Sequence, residues 1–204
     1  MSAPGAAPAA PRILCIAGSP RRHGNSEQLL DAFVDGVAAA GGEPVMLPVV
    51  EAGVTPCRGC NACSRTGRCI VSDGMDVVYD RLDTAEAIAI ASPVYFATVP
   101  AVLKALYDRC QPYWARRYVL GEPAAAVKRP GALLVVGGGG DPFGTACVIT
   151  VTRSVFAVLG VEATEVLEVV GPDAAADIRS HQEDLRRASD IGRGLVGEVL
   201  ARRF

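Results

Sequence analysis

Along the chain, short apolar runs alternate with stretches whose apolar residues recur every three or four positions. The runs Ile13–Ala17, Val45–Val50, Ala87–Ala91, Ala132–Val136 and Val166–Val170 are strand-sized and predict five strands. Between the first two, Leu29, Leu30, Phe33 and Val37 fall at helical spacing, with Asn25 or Ser26 placed to cap the start and Gly41-Gly42 to stop the chain. A helix over 99–113 carries Leu103, Leu106 and Tyr107 on one face, and another over 146–159 carries Val148, Val151, Val155 and Val158. Ile178, Leu185, Ile191, Leu195 and Val199 form a looser stripe, which predicts a C-terminal packing helix weakened by Gly192, Gly194 and Gly197. Such alternation predicts an α/β fold with a parallel, doubly wound sheet.

Composition narrows the classes of function. With 204 residues, the chain can bury about 70% of its unfolded surface as one domain. The opening MSAPGAAPAAP has neither a basic n-region nor an apolar h-region; residues 1–11 are expected to be a flexible tail and 12–204 a single domain. Apolar residues make up 50% of the chain and its formal charge is −2, which argues against a nucleic-acid partner. No apolar run approaches the ~20 residues that span a bilayer, so no membrane partner is expected and the expected compartment is the cytoplasm. Seven cysteines, an odd number, suit metal or redox chemistry in a reducing compartment better than a disulfide framework.

The first strand runs into GSPRRHGNS, a turn that ends at a helix N-terminus, where unpaired N–H groups and the helix dipole favour an anion. Ser19, Asn25 and Ser26 supply donors, Arg21 supplies a forked cation, and Gly18 and Gly24 permit tight turns, so the expected ligand is a phosphate. There is no GKS or GKT ending and no G-x-G-x-x-G, which sets aside the two common nucleotide fingerprints. Cys15 and Arg21, separated by five residues, with Asp141 elsewhere as an acid, offer a phosphatase-like alternative. Against it, Cys15 lies within the apolar ILCIA, where a thiol stays protonated. With only His23 and His181 and no Ser/His/Asp grouping, no conventional hydrolase site is evident.

After the third strand comes SPVYFATVPAVLKALYDR. Together with GSPRRHGNS it resembles the flavodoxin-like, NAD(P)H-dependent FMN reductase family. The resemblance implies a five-stranded sheet of order 2-1-3-4-5 in a three-layer α/β/α sandwich. It further implies that Ser19, Arg21, Asn25 and Ser26 hold the FMN phosphate and that Pro93, Val94, Tyr95 and Phe96 lie along the isoalloxazine. Because Pro93 has no N–H, a donor to the flavin must come from Val94, Tyr95 or Phe96. The GGGG run after the fourth strand brings in Gly138 and Gly139 as a third flavin loop, or else forms a surface turn. Lys104, Asp108 and Arg109 read as helix surface or subunit contacts. By the same resemblance, NAD(P)H gives hydride to FMN, which passes electrons to an unidentified acceptor, in a homodimer or homotetramer with Tyr113, Trp114 and Tyr118 available for a subunit interface or for the core. A non-enzymatic FMN shuttle reduced by a partner protein is the alternative.

Between the second strand and a helix beginning near Asp73, Cys57, Cys60, Cys63 and Cys69 are spaced C-x2-C-x2-C-x5-C. Closely repeated C-x2-C wraps a cubane, whereas structural zinc takes two separated knuckles. Arg58, Arg65 and Arg68 are available to offset thiolate charge. The motif resembles that of the iron-sulfur flavoprotein branch and implies a [4Fe–4S] cluster, with zinc and redox-active thiols as the alternatives. Cys110 and Cys147 read as core residues.

Overall fold

The computed structural model describes residues 9–203; of the predicted tail, residues 1–8 lie outside it. Five strands, β1 (Arg12–Ala17), β2 (Glu43–Pro48), β3 (Ala87–Pro93), β4 (Arg129–Gly137) and β5 (Val161–Val170), form one sheet. They pair in the order β2-β1-β3-β4-β5, every pair parallel, as the resemblance implied. The period-two alternation of β1 feeds two cores. Ile13, Cys15 and Ala17 face one of them, which is covered by α1 (Asn25–Ala39) and α7 (Gln182–Arg202). Leu14 and Ile16 face the other, covered by α3 (Met75–Thr84), α4 (Ala101–Asp108) and α6 (Ala146–Val158). Between β2 and α3 the cysteine segment contributes only a single short helix, α2 (Cys63–Thr66).

Three expectations need correction. The helix predicted over 99–113 is two helices, α4 and α5 (Gln111–Tyr118), which part at Arg109-Cys110. Pro112 stands in the first turn of α5, where a missing N–H costs least, and inside one continuous helix it would break the ladder. Strand β5 is twice as long as the apolar run that marked it, because at the sheet edge Glu162, Glu165 and Glu168 interrupt its apolar positions. Ile178 belongs to a short 3-10 turn that precedes α7 rather than to the helix.

Of the three glycines that weaken α7 as an isolated helix, Gly192 is the one that lets it dock, while Gly194 and Gly197 face open space. A Cβ on Gly192 would stand 2.2 Å from Phe33 O, and one on Gly36 of α1 only 1.9 Å from Ser189 O. The two helices meet backbone to backbone, so the helix-propensity cost of glycine, about 1 kcal/mol each, is offset by tertiary packing.

Candidate functional site

The loops after β1, β3 and β4 all leave the carboxyl ends of parallel strands, and β1 and β3 flank the switch point where the strand order reverses. Ser19, Arg21, Asn25, Ser26, Pro93, Val94, Tyr95 and Gly138 line one cavity of about 90 Å³ there, joined by Val136, Pro172 and Asp173. Val94 and Gly138 are shared with an adjoining cavity of about 190 Å³ formed by the glycine run, which includes Gly139. Three separate loops thus bring nine of the ten predicted cofactor residues to two contiguous hollows.

Geometry assigns these residues unequal parts. Ser19 and Ser26 are buried, at 6% and 3% exposure. The Ser19 Oγ accepts the Arg21 N–H at 3.0 Å, which shapes the turn and leaves its own hydroxyl proton to donate. Arg21 is exposed and makes no ion pair among the described residues. Asn25 is the first residue of α1 rather than its cap; Gly24 is the N-cap and offers no side chain. The N–H groups of the first turn therefore lack both intrahelical partners and a side-chain cap, which is the condition for anion binding. The Asn25 carboxamide is largely committed: its Nδ2 donates to Ala174 O at 2.9 Å and its Oδ1 accepts Ile178 N–H at 3.3 Å, tying α1 to the loop before α7. Glu27 sits in the same first turn. Burial pushes its carboxyl up, but hydrogen bonds from Arg22 and the His23 N–H outweigh that and hold it below its ordinary range.

The residues expected along the ring do not all fall in one place: Pro93, Val94 and Tyr95 line the cavity and Phe96 does not. Val94 N–H donates to Val136 O at 2.9 Å and Tyr95 N–H to Thr98 O at 2.8 Å, so both are spent. Of the three expected donors, only Phe96 keeps a backbone N–H without a partner among the described residues, while Gly138, Gly139 and Gly140 keep theirs. Phe96 does not line the cavity: it is fully exposed at the tip of a tight hairpin closed by Tyr95 and Thr98. Phe96 and Ala97 both have positive φ, 48° and 63°, as a type I′ turn requires. That turn favours Asn or Gly, and non-glycine residues held there cost of order 1–3 kcal/mol each, the kind of strain that collects at binding sites.

Cys15 is fully buried in β1, where desolvation pushes its thiol up to about 12, so it is no nucleophile and the phosphatase alternative falls. Cys110 is buried as expected, but Cys147 is exposed.

The four remaining cysteines, Cys57, Cys60, Cys63 and Cys69, line a second cavity of about 320 Å³ together with Arg58, Asn61, Asp108 and Arg109. Burial raises the Cys63 thiol, and the charges of Cys69, Cys57 and Cys60 add to the effect. Among the described residues no three His, Cys, Asp or Glu side chains converge as a single-ion site requires. Gly59 and Asn61 at positive φ and Gly67 in the left-handed region after α2 turn the loop around this hollow.

Sequence reading missed the residue that holds this loop. Arg109 is 1% exposed, not surface, and forms a buried ion pair with Asp73 at 2.8 Å. The Asp73 carboxylate also takes the N–H groups of Thr55 and Met75, each at 2.9 Å; the Arg109 guanidinium first, then these bonds, hold it well below the usual carboxylate range against the opposing effect of burial. Arg116 on α5 donates from Nε to Gly67 O at 2.8 Å, fixing the far side of the loop.

Both cavities are lined by residues that one family profile covers. The profile of the NADPH-dependent FMN reductase family matches residues 11–175, and the chain belongs to that family, in its iron-sulfur flavoprotein branch. An iron-sulfur flavoprotein of Methanocaldococcus jannaschii is 34% identical over 124 residues, covering 59% of this chain and 64% of that one. One from Archaeoglobus fulgidus is 30% identical over 177 residues, covering 87% of this chain and 75% of its own length. The chain thus spans just under two thirds of the first relative. Among solved structures, an NAD(P)H:quinone oxidoreductase from Methanothermobacter marburgensis superposes with a TM-score of 0.68 at 20% identity, covering 92% of this chain and 100% of that one, a likeness of fold.

Proposed function

We propose that the protein is an NAD(P)H-dependent FMN oxidoreductase that carries a [4Fe–4S] cluster on its cysteine loop and hands electrons to a separate acceptor. The observation that carries this reading is the convergence of three loops at the switch point: buried hydroxyls and an uncapped helix N-terminus on one side, Pro93, Val94 and Tyr95 on the other. FMN, when bound, supplies the redox chemistry, accepting a hydride from a nicotinamide and returning its electrons singly or in pairs. The chain's own part is placement. Ser19, Ser26, Arg21 and the first-turn N–H groups suit the phosphate, with Asn25 holding the helix start in position. The free N–H groups of Gly138–Gly140, on the wall of the adjoining hollow, suit the polar edge of the ring, where reduced flavin gathers negative charge.

The donor set of the second cavity fits a cubane: four free thiols around one hollow, with the cations of Arg58 and Arg109 on its wall. Such a cluster supplies single-electron transfer when bound. Free thiols of this kind, two of them exposed, suit a reducing compartment such as the cytoplasm. No helix of the described residues is long and apolar enough to cross a membrane. Exposed Trp114 and Tyr118, with ring centroids 5.7 Å apart on α5, are suited to a subunit contact in a homodimer or homotetramer.

Anaerobic purification with flavin, iron and sulfide analysis tests the reading. We expect FMN together with about four irons and broad absorption near 400 nm beyond the flavin bands. Cys60→Ala should lose iron and keep FMN; loss of both would mean that the cysteines only support the fold. NADPH and NADH oxidation by the isolated protein separates an enzyme from a shuttle, which would oxidise neither.

A further inference from the structure

We propose that Arg109 is the positioning residue of the cysteine site, closing the neck of the loop with its guanidinium fork and keeping its Nε–H for a cysteine-bound sulfur. This rests on the four-cysteine reading above and names the side chain on which that site depends.

Two groups close the neck of the loop: Asp73, which accepts the Thr55 N–H at 2.9 Å, and Arg109, which reaches both limbs at once. One terminal nitrogen of Arg109 donates to Thr55 O at 2.9 Å and to Asp73 at 2.8 Å; the other donates to Val71 O at 3.0 Å and to the second Asp73 oxygen at 3.1 Å. Thr55 precedes Cys57 by two residues and Val71 follows Cys69 by two. The planar fork therefore ties the outgoing and returning strands of the loop to each other and to α4, a geometry that a lysine cannot reproduce. Tyr79 OH donates to the Arg109 carbonyl at 2.5 Å and fixes the backbone behind it. Asp108, the other charged residue of α4 at this cavity, is engaged with Lys104 at 2.6 Å.

One donor is left over. Arg109 Nε is the only buried side-chain nitrogen or oxygen among the described residues without a hydrogen-bond partner, and it belongs to a residue that lines the thiol cavity. Orphaned buried donors are rare because each forfeits its solvation, and one beside a functional hollow points to an acceptor that arrives with the ligand. Thiolate and sulfide sulfurs are such acceptors, and hydrogen bonds to cluster sulfurs are among the factors that set a cluster's potential. Arg109 accordingly favours the reduced, more negative form of the centre.

The test compares the full-length chain with Arg109→Gln and Arg109→Lys. Iron and sulfide bound by the unaltered chain come first: none would contradict the cluster reading itself, and Arg109 is then judged in the iron-free protein alone. There, hydrogen exchange across 55–73 should run at least tenfold faster in both variants; unchanged exchange would overturn the neck assignment. With cluster bound, an EPR-monitored redox titration should find the reduction equilibrium of Arg109→Gln displaced about tenfold toward the oxidised form, about 59 mV for one electron. Arg109→Lys should lie between the two. A Gln variant within twofold of the unaltered chain would show that Nε–H serves no sulfur. Retained FMN reports that the variants are folded; if they lose it, Asp73→Asn, which opens the neck with Arg109 intact, should give the fast exchange, and slow exchange in it would overturn the proposal.

Discussion

Gly18 and Gly24 bracket the turn assigned to the phosphate, and alanine should act differently at each. A Cβ on Gly18 would lie 2.5 Å from Leu103 Cδ2 and 2.9 Å from Ala91 O. Leu103 can rotate away, but the carbonyl cannot: it belongs to β3 and accepts the Gly18 N–H at 2.8 Å. The clash is therefore relieved by pushing the end of β1, and the loop it carries, off β3. Overpacking of this kind costs about 1–3 kcal/mol, which for a chain of this size lowers the Tm by about 2–12 °C. A Cβ on Gly24 would meet nothing nearer than Arg21 O at 3.4 Å, and its φ of −72° suits any residue. Its loss as an N-cap and its gain from a stiffer unfolded chain are each about 0.5–1 kcal/mol and nearly cancel. Thermal unfolding of both variants, with FMN titration of each, is the assay. Gly18→Ala should unfold early and bind FMN weakly, while Gly24→Ala should stay within about 2 °C of the unaltered protein. Equal behaviour of the two would refute the view that close approach of β1 to β3 sets the loop.

Arg21→Gln should weaken FMN about tenfold, the low end for a charge-assisted bond because Arg21 is exposed, and the loss should shrink as ionic strength rises; an isothermal titration at two salt concentrations checks it. The Asp73 carboxyl is held below its ordinary value in the folded chain, so its contribution is complete above about pH 4 and is lost as pH falls through the folded value. Asp73→Asn should accordingly cost about 3 kcal/mol in urea unfolding at pH 7, where it strands Arg109, and progressively less as both proteins are taken below pH 4.

What could be read in advance follows from how local its causes are. The five strands and the placing of the β1 and β3 loops at the switch point were legible because each is a contiguous stretch with its own pattern. Arg109 was not. At the end of an amphipathic helix, after Lys104 and Asp108, it has the look of solvated surface, and its partners Thr55, Val71 and Asp73 lie 54, 38 and 36 residues away. Asn25 misled for the same reason: its fitness as a cap is local, whereas its partners Ala174 and Ile178 are 149 and 153 residues distant. The spent N–H groups of Val94 and Tyr95 depend on how β3 pairs with β4 and on a two-residue hairpin, neither visible in SPVYF itself. Gly192 of α7 looks like weakness until α1 is laid against it.

The most direct test of the account is a comparison of FMN with riboflavin, which share the ring and differ by the phosphate. Titrated into apoprotein under flavin fluorescence, FMN should bind one per chain and riboflavin at least a hundredfold more weakly, since several donors aimed at a phosphate are each worth roughly 1.5–3 kcal/mol. Equal affinity for the two, or uptake of neither by folded protein, would contradict a phosphate seat at the turn that begins with Gly18.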